Sequence, residues 1–422
     1  MKPREEGWCL VLSGGGAKGV YHIGVWRALK ELGVQVDAFV GSSIGAIIAG
    51  FLAQGSDEAL EEIGRSIGID SILALPEELT EDGEVKLDRE SLSSVRELFR
   101  AAMAKGGLDT SPLRKTLADK LDEKAIRESG KDLGIVTVNV SDLEPREVFL
   151  EAMEPGHLVD YLMASAAFPG FERPKIAGKK YVDGGIYDNI PYAMARKRGY
   201  RKIIVVDISG AGRNRKPDIE GSMTVYVKNS IDMGGVLDFK REFLDSFTLL
   251  GYLDAMRTFG RLRGYSYFLE PDPKAEAAAV AEAAAREAAG QEPPPYPERM
   301  RYDRNVLLKD LECAAAILGI ERVRAYGYAG LASAVEERRK AEEDRVAAIL
   351  AAGSGERLRL AAMLREAVTK RIFDECPYYY HRLIEELLPK AAGTVLARGL
   401  SGFCPELPAG LAYLGRLTGR GK

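Results

Sequence analysis

Ser43 lies at the centre of a Gly-x-Ser-x-Gly pentapeptide, the pattern of a serine nucleophile on a sharp turn. An uncharged apolar run over 38–40 precedes this turn and another follows it, and we predict a buried strand over 36–40 and a buried helix over 46–53. Gly41 and Gly45 suit such a turn because the strand and the helix pack too closely there for a Cβ atom. A serine at a helix N-terminus also lies where free N–H groups favour developing negative charge. The stretch therefore predicts nucleophilic catalysis.

A glycine-rich loop precedes this turn and follows the continuous apolar run Trp8–Ser13, which is typical of a strand buried in a parallel sheet. The loop formally satisfies Gly-x-Gly-x-x-Gly. A dinucleotide site, however, requires an acidic residue at the end of the next strand, whereas Asp37 lies near its beginning. No Gly-Lys-Ser/Thr follows at the spacing of a phosphate-binding P-loop. Two interpretations remain, a tight turn or an oxyanion hole formed by the N–H groups of Gly14, Gly15 and Gly16.

Asp183 follows a short predicted strand and precedes Gly184 and Gly185. An aspartate before two glycines is often only a turn residue that caps its own backbone. Whether Asp183 serves in catalysis therefore depends on what lies opposite it in the fold.

The chain has three histidines, at positions 22, 157 and 381. A Ser-His-Asp triad requires a histidine within hydrogen-bond reach of the serine. Only His381 follows Ser43 and Asp183 in the chain order that hydrolases with this type of turn use. We expect all three histidines to be structural, with His381 as the one candidate for a triad.

The composition is that of a globular protein, with 46% hydrophobic and 29% charged residues and a net charge of −4. This charge gives no reason to expect a nucleic-acid partner. The four scattered cysteines favour neither structural zinc nor a disulfide framework. The charged start Met1–Gly7 lacks the apolar core of a signal peptide. The uncharged stretch 38–56 fits a buried strand, turn and helix better than a membrane span.

At 422 residues the chain is too long for one core, and we expect more than one domain. We predict a catalytic domain over 1–270, a helix with a proline-rich linker over 271–300 and a helical region of unknown role over 301–422. Within the first part, residues 57–131 form a helical insertion. This insertion is either a cap over the site or a set of ordinary surface helices.

The C-terminal region has its own pattern. Residues 274–290 favour a helix by propensity, and 292–297 are rich in proline. Several amphipathic helices are predicted between 304 and 400, one of them over 358–372. The tail 403–422 contains proline and glycine, and we expect it to be irregular.

Four segments together resemble the patatin-like phospholipase family and occur in that family's order, over residues 7–210. They are Ser13–Gly19, Gly41–Gly45, Ala164–Pro169, and Asp183–Gly185 followed by Asn189–Pro191. The resemblance implies a three-layer α/β/α domain with a mostly parallel central sheet, followed here by a mostly helical C-terminal region.

Carried over residue by residue, the resemblance makes Ser43 the nucleophile and Asp183 its general base in a Ser-Asp dyad. The N–H groups of Gly14, Gly15 and Gly16 would form the oxyanion hole. Lys18 stands where the family has lysine or arginine. The motif positions that support these roles are Lys18, Gly19, Gly41, Gly45, Gly184 and Gly185.

The family hydrolyses acyl esters of phospholipids and other lipids through an acyl-enzyme. We therefore expect a phospholipase A or lysophospholipase that needs no metal and no cofactor. An acyltransferase or thioesterase could use the same dyad, and a catalytically silent lipid-binding or regulatory protein is a further alternative. The expected partner is a phospholipid or another acyl lipid, with transient contact at a membrane surface and no nucleic acid. We expect a cytoplasmic protein, or one peripheral at the membrane; the sequence leaves its oligomeric state open.

Overall fold

The computed structural model describes residues 7–76, 80–81, 84–85, 100–102, 104, 106–235, 238–300, 306–351, 364, 376–388 and 390–418. The helix predicted over 358–372 lies outside these residues, apart from Leu364. The chain divides after Thr258 into two compact units.

The first unit is built on a central sheet of eight strands. These are β1 (Trp8–Leu12), β2 (Val36–Ser42), β5 (Asp132–Asn139), β6 (Glu144–Phe149), β7 (Lys175–Ile176), β8 (Lys179–Asp183), β9 (Lys202–Asp207) and β10 (Met223–Lys228). Their order in the sheet is β10-β9-β1-β2-β5-β8-β7, and β6 also pairs with β5. A separate hairpin consists of β3 (Thr80–Glu81) and β4 (Glu84–Val85).

Helices flank this sheet, as the apolar strands require, because a strand buried on both faces needs cover on each side. They are α1 (Val20–Glu31), α2 (Ile44–Gln54), α3 (Asp57–Ser66), α4 (Ser111–Lys120), α5 (Glu123–Glu128), α6 (Leu158–Ser165), α7 (Tyr192–Lys197) and α8 (Arg241–Thr258). The predicted α/β class with a mostly parallel central sheet is confirmed.

Four neighbouring pairs in the sheet are parallel, namely β10 with β9, β9 with β1, β1 with β2, and β2 with β5. The loops that follow β9, β1 and β2 therefore leave the sheet at the same edge. Strand β8 runs antiparallel to β5 and pairs Asp183 with Thr137. The adjacent residue of β5, Val136, pairs with Ser42. This register brings the end of β8 beside the turn that follows β2.

The uncharged stretch 38–56 forms most of β2, the turn and α2, and its central part is buried. Within the described parts of the chain, the structure contains no helix with the length and apolar character needed to cross a bilayer.

The second unit is mostly helical, as predicted. Its elements are α9 (Pro273–Ala288), α10 (Val306–Ile317), α11 (Tyr328–Ala351), α12 (Pro377–Leu387), α13 (Lys390–Phe403), α14 (Leu407–Leu417) and the short parallel strands β11 (Phe268–Leu269) and β12 (Ala325–Tyr326). A core of leucine, tyrosine and alanine side chains joins α10 to α11, α12 and α14.

The expectation of an irregular tail is wrong, because residues 407–417 form α14. The proline in this segment occupies the first turn, where its missing N–H removes no helical hydrogen bond. Gly410 allows close packing, since a Cβ atom there would lie 2.8 Å from the main-chain oxygen of Cys313. Leu407 and Leu414 are buried in the same core.

Candidate active site

The turn between β2 and α2 carries Ser43 in a backbone conformation that is unusual for a residue with a side chain, with φ 55° and ψ −128°. Its two flanking glycines make this turn possible. A Cβ atom on Gly41 would lie 2.5 Å from the nitrogen of Ala46, and one on Gly45 would lie 2.6 Å from the main-chain oxygen of Ser13. The predicted strand, turn and helix are present, and the serine is presented between them.

The Oγ of Ser43 donates a hydrogen bond to Oδ2 of Asp183, with 2.7 Å between the two oxygens. The other carboxylate oxygen, Oδ1, accepts the N–H of Gly185 at 2.7 Å. The structure thus brings together the two residues that the sequence analysis paired, although they lie 140 positions apart.

Asp183 is 6% exposed. Burial raises its pKa to about 6, while the hydrogen bonds from Ser43 and Gly185 favour the ionised form and lower it. A carboxylate with a raised pKa is a stronger base than a free aspartate. The environment of Asp183 therefore supplies part of the basicity that proton transfer from an alcohol requires.

The three glycines after β1 differ in what their N–H groups do. The N–H of Gly14 donates to the main-chain oxygen of Asn189 at 3.2 Å. Gly15 and Gly16 line the cavity beside Ser43, and in the described part of the chain no acceptor is found for their N–H groups. Of the three glycines, Gly14 therefore has its N–H already hydrogen-bonded, whereas the N–H groups of Gly15 and Gly16 have no acceptor among the described residues.

The other motif residues hold these segments together. The Lys18 side chain is buried and donates to the main-chain oxygen of Ser209 at 3.4 Å. A Cβ atom on Gly19 would overlap the side chain of Ile44, and one on Gly184 would overlap the main-chain oxygen of Val136.

Two residues with important contacts received no role in the sequence analysis. Ser165, at the end of α6, accepts the N–H of Ser43 on its Oγ at 2.9 Å and donates to the oxygen of Val136 at 2.6 Å. Asn189 donates its side-chain Nδ2–H to the oxygen of Gly14 at 3.4 Å. Both residues lie in segments of the family resemblance, which was the only sequence signal for them.

A cavity opens beside Ser43, and its wall is almost entirely apolar. Four of its residues, Ile44, Ile47, Ile48 and Phe51, recur along one face of α2. The other large apolar side chains of the wall are those of Val20, Ile23, Ile63, Ile67, Ile72, Leu113, Leu117, Phe168, Phe171 and Phe239. Such a cavity suits a hydrocarbon chain whose carbonyl group lies at Ser43.

The histidines have other partners. His22 is buried, and its Nε2 lies 2.9 Å from the main-chain oxygen of Ser13. Burial lowers its pKa to about 4, so the ring is neutral at pH 7 and Nε2–H donates to that oxygen. His157 pairs with Asp160 at 2.9 Å. His381 belongs to the second unit, where its Nε2 lies 3.7 Å from Glu385.

Residues 10–196 match the family model described as patatin-like phospholipase. The chain is 28% identical over 219 residues to the patatin-like phospholipase domain-containing protein ZK370.4 of Caenorhabditis elegans, covering 51% of this chain and 14% of that protein. It is 30% identical over 205 residues to human patatin-like phospholipase domain-containing protein 6, covering 47% and 13%. It is 28% identical over 212 residues to lysophospholipase NTE1 of Saccharomyces cerevisiae, covering 49% and 11%.

The chain thus spans between 11% and 14% of the length of these three relatives. Among solved structures, VipD from Legionella pneumophila is similar with a TM-score of 0.40 and 13% identity, covering 98% of this chain and 88% of that one. A likeness of this size supports no statement about the fold.

Proposed function

Because residues 10–196 match the patatin-like phospholipase family model, we propose that the protein is a lipid acyl hydrolase of the phospholipase A or lysophospholipase type. The observation that supports this most directly is the 2.7 Å hydrogen bond from Ser43 to Asp183 at the opening of an apolar cavity. A nucleophile, a base and a site for a hydrocarbon chain are together what hydrolysis of an acyl ester requires.

In the first half of the reaction, Asp183 takes the proton of the Ser43 hydroxyl while Oγ attacks the acyl carbonyl carbon. The carbonyl oxygen becomes an oxyanion that accepts hydrogen bonds from the N–H groups of Gly15 and Gly16. Donors of this kind each contribute about 10²–10³ in rate. Collapse of the tetrahedral intermediate breaks the ester bond, and the leaving alcohol receives the proton from Asp183.

In the second half, Asp183 accepts a proton from water, and the resulting hydroxide attacks the acyl group on Ser43. The fatty acid leaves, and the proton returns to Oγ. Every proton transfer in this cycle uses Asp183, and we propose that it requires neither a metal ion nor a histidine. Because the substrate resides in a lipid aggregate, the protein would contact a lipid surface during turnover.

Fatty-acid release from mixed phospholipid and lysophospholipid micelles containing a chelator tests this proposal. We expect release by the wild type and a loss of at least about 10³-fold in Ser43→Ala, the size typical of a missing nucleophile. Ser42→Ala is a matched control, since the Ser42 hydroxyl is buried with no hydrogen-bond partner in the described residues. This variant should keep its activity.

Release that persists in Ser43→Ala, or that disappears with the chelator, would contradict the proposed mechanism. Absence of release by the wild type, together with failure of a fluorophosphonate to label Ser43, would favour the alternative of a lipid-binding protein. Transfer of the acyl group to an added alcohol in preference to water would favour an acyltransferase.

A further inference from the structure

The loop that follows β9 contacts both the glycine-rich segment after β1 and the segment that follows Asp183. We call residues 209–213 of this loop the crossing loop. A Cβ atom on Gly210 would lie 2.7 Å from the Cα of Gly15, so the crossing loop touches the glycine-rich segment. A Cβ atom on Gly212 would lie 2.9 Å from the main-chain oxygen of Gly185. Ala211, between these two contacts, is exposed and lines the apolar cavity. The crossing loop therefore lies at the mouth of that cavity.

The last residue of the crossing loop, Arg213, is fixed by its main chain to the segment that carries Asp183. Its N–H donates to the oxygen of Gly185 at 2.8 Å, and its oxygen accepts the N–H of Asn189 at 2.9 Å. Because both hydrogen bonds use main-chain atoms, the position of Arg213 relative to Asp183 does not depend on its side chain.

The Arg213 side chain is exposed, and in the described part of the chain no acidic or aromatic partner is found for it. Arg215, two positions later, differs in this respect. Its guanidinium lies 4.8 Å from the ring centre of Tyr187 and donates to the hydroxyl of that tyrosine. The buried Lys18 ammonium is held by the main-chain oxygen of Ser209. Arg213 is thus an exposed cation two positions beyond Ala211, the crossing-loop residue that lines the cavity.

The cavity cannot receive a charged headgroup itself. Among the described residues that line it, Asp183 is the one with a formal charge, and that charge is negative. A phosphate inside would be desolvated without a cationic partner, which is strongly unfavourable. A phosphorylated lipid with its acyl chain in the cavity must therefore leave its phosphate outside the apolar wall, and the crossing loop that carries Arg213 lies at that opening through Ala211.

We propose that Arg213 binds the phosphate of the lipid headgroup and so directs the enzyme toward phospholipids over neutral acylglycerols. This inference rests on the proposed function and deepens it. A guanidinium presents parallel N–H donors that match two oxygens of a phosphate, and such charge-assisted pairs are among the stronger hydrogen bonds. The subsite would select the substrate class and take no part in the chemical step.

A matched pair of substrates tests the proposal. 1-Palmitoyl-lysophosphatidylcholine and 1-palmitoylglycerol carry the same acyl ester and differ in the phosphocholine group. Both are presented at equal mole fraction in the same detergent micelles. In Arg213→Gln the ratio of kcat/KM for the two substrates should shift about 10-fold to 100-fold away from the phospholipid, the effect of losing one charge-assisted contact. Arg213→Lys keeps the positive charge but loses the paired N–H donors of the guanidinium, and it should shift this ratio less.

Lys216→Gln is the control, because it removes an exposed positive charge three positions beyond the crossing loop. This variant should leave the ratio within about twofold, since exposed charges at a distance are screened by salt. An unchanged ratio in Arg213→Gln, or an equal shift in Lys216→Gln, would overturn the proposal.

A binding measurement keeps the subsite testable even if the wild type releases no fatty acid. Calorimetric titration with lysophosphatidylcholine below its micellar concentration compares the Ser43→Ala variant with the double variant Ser43→Ala/Arg213→Gln. The Kd of the double variant should be about 10-fold higher or more. An unchanged Kd would overturn the subsite. Inorganic phosphate distinguishes a headgroup site from a site for the free anion. Arg213-dependent binding of inorganic phosphate as tight as that of the lipid would assign the site to free phosphate and overturn headgroup recognition.

Discussion

The hydroxyl of Ser165 accepts the N–H of Ser43 at 2.9 Å and donates its own proton to the oxygen of Val136 at 2.6 Å. It thereby connects the turn after β2 to β5 through one buried side chain. Ser43 is in a backbone region that costs a residue with a side chain about 1–3 kcal/mol, and such conformations persist only where neighbouring contacts hold them. Ser165 is one of those contacts.

We expect Ser165→Ala to lower the free energy of unfolding by about 1–3 kcal/mol, because the Ser43 N–H and the Val136 oxygen lose a buried partner. Ser43, the proposed nucleophile, should also be less well positioned, so that kcat falls while KM changes little. Urea denaturation and the rate of fluorophosphonate labelling measure the two effects separately. Unchanged stability and labelling would show that the hydrogen bond is dispensable.

Asp183→Asn should abolish turnover and stabilise the fold at alkaline pH. The pKa of this carboxyl is raised from 3.8 to about 6 in the folded protein, so the folded state holds the proton more tightly than the unfolded state does. The stabilising contribution of the protonated form is complete below pH 3.8 and is lost as the pH rises through about 6. At pH 8 the variant should therefore be more stable than the wild type by about 2–3 kcal/mol, since one pKa unit corresponds to about 1.4 kcal/mol.

Thermal unfolding of the wild type and Asp183→Asn at pH 4.5 and pH 8 checks this expectation. The stability advantage of the variant should be larger at pH 8. Turnover close to that of the wild type would rule out Asp183 as the base.

The pH profile of kcat/KM should rise about tenfold per unit up to pH 6 and level off above pH 7, because Asp183 must be unprotonated to accept a proton. Asp188 provides a control, since burial raises its pKa to about 6 as well and one of its oxygens has no partner among the described residues. Asp188→Asn should leave the midpoint of the profile in place. A midpoint that moves with Asp188 would assign the titration to that residue.

Filling the apolar cavity should shorten the acyl chain that the enzyme prefers. Ile48→Phe adds volume to the cavity wall, and we expect the activity ratio between palmitoyl and butyryl esters to fall about tenfold or more, because a blocked long chain loses roughly 0.8 kcal/mol of burial per methylene. Leu52→Phe enlarges a buried residue of α2 that does not line the cavity. An equal change of the ratio in both variants would indicate a general packing defect.

His381→Ala should keep full activity if a dyad carries the reaction. The Nε2 of this histidine lies 3.7 Å from the carboxylate of Glu385, one turn further along α12. The measurement is fatty-acid release by the purified variant, whose fold is checked by circular dichroism. Loss of activity in a folded variant would revive the Ser-His-Asp alternative.

The turn at Ser43 could be predicted because the residues that specify it are neighbours in the sequence. Glycines on either side of the serine, an apolar run before it and another after it specify a close strand-turn-helix packing within about a dozen residues. The pairing of Ser43 with Asp183 came from the family resemblance, and the register of β5 with β2 and β8 supplies its physical cause.

What the sequence did not reveal depends on contacts between distant segments. Ser165 lies 122 positions from the residue whose N–H it accepts, and a serine near a helix end has no local signature of such a role. Strand β10 was not predicted; it is an edge strand, and all but one of its residues are exposed or half-buried. Arg213 lies in a stretch that resembles an ordinary polar loop, and only the two main-chain hydrogen bonds distinguish it.

The position of β9 limits how far the first unit can be shortened at its C-terminal end. The family match ends at residue 196, yet β9 begins at Lys202 and lies between β1 and β10 in the sheet. A fragment cut at the end of the match would leave the β1 edge of the sheet without hydrogen-bond partners and remove the cover of the glycine segment. An open, apolar strand edge of this kind is a template for aggregation. The smallest fragment suited to recombinant production therefore extends to about Thr258, where the first compact unit ends.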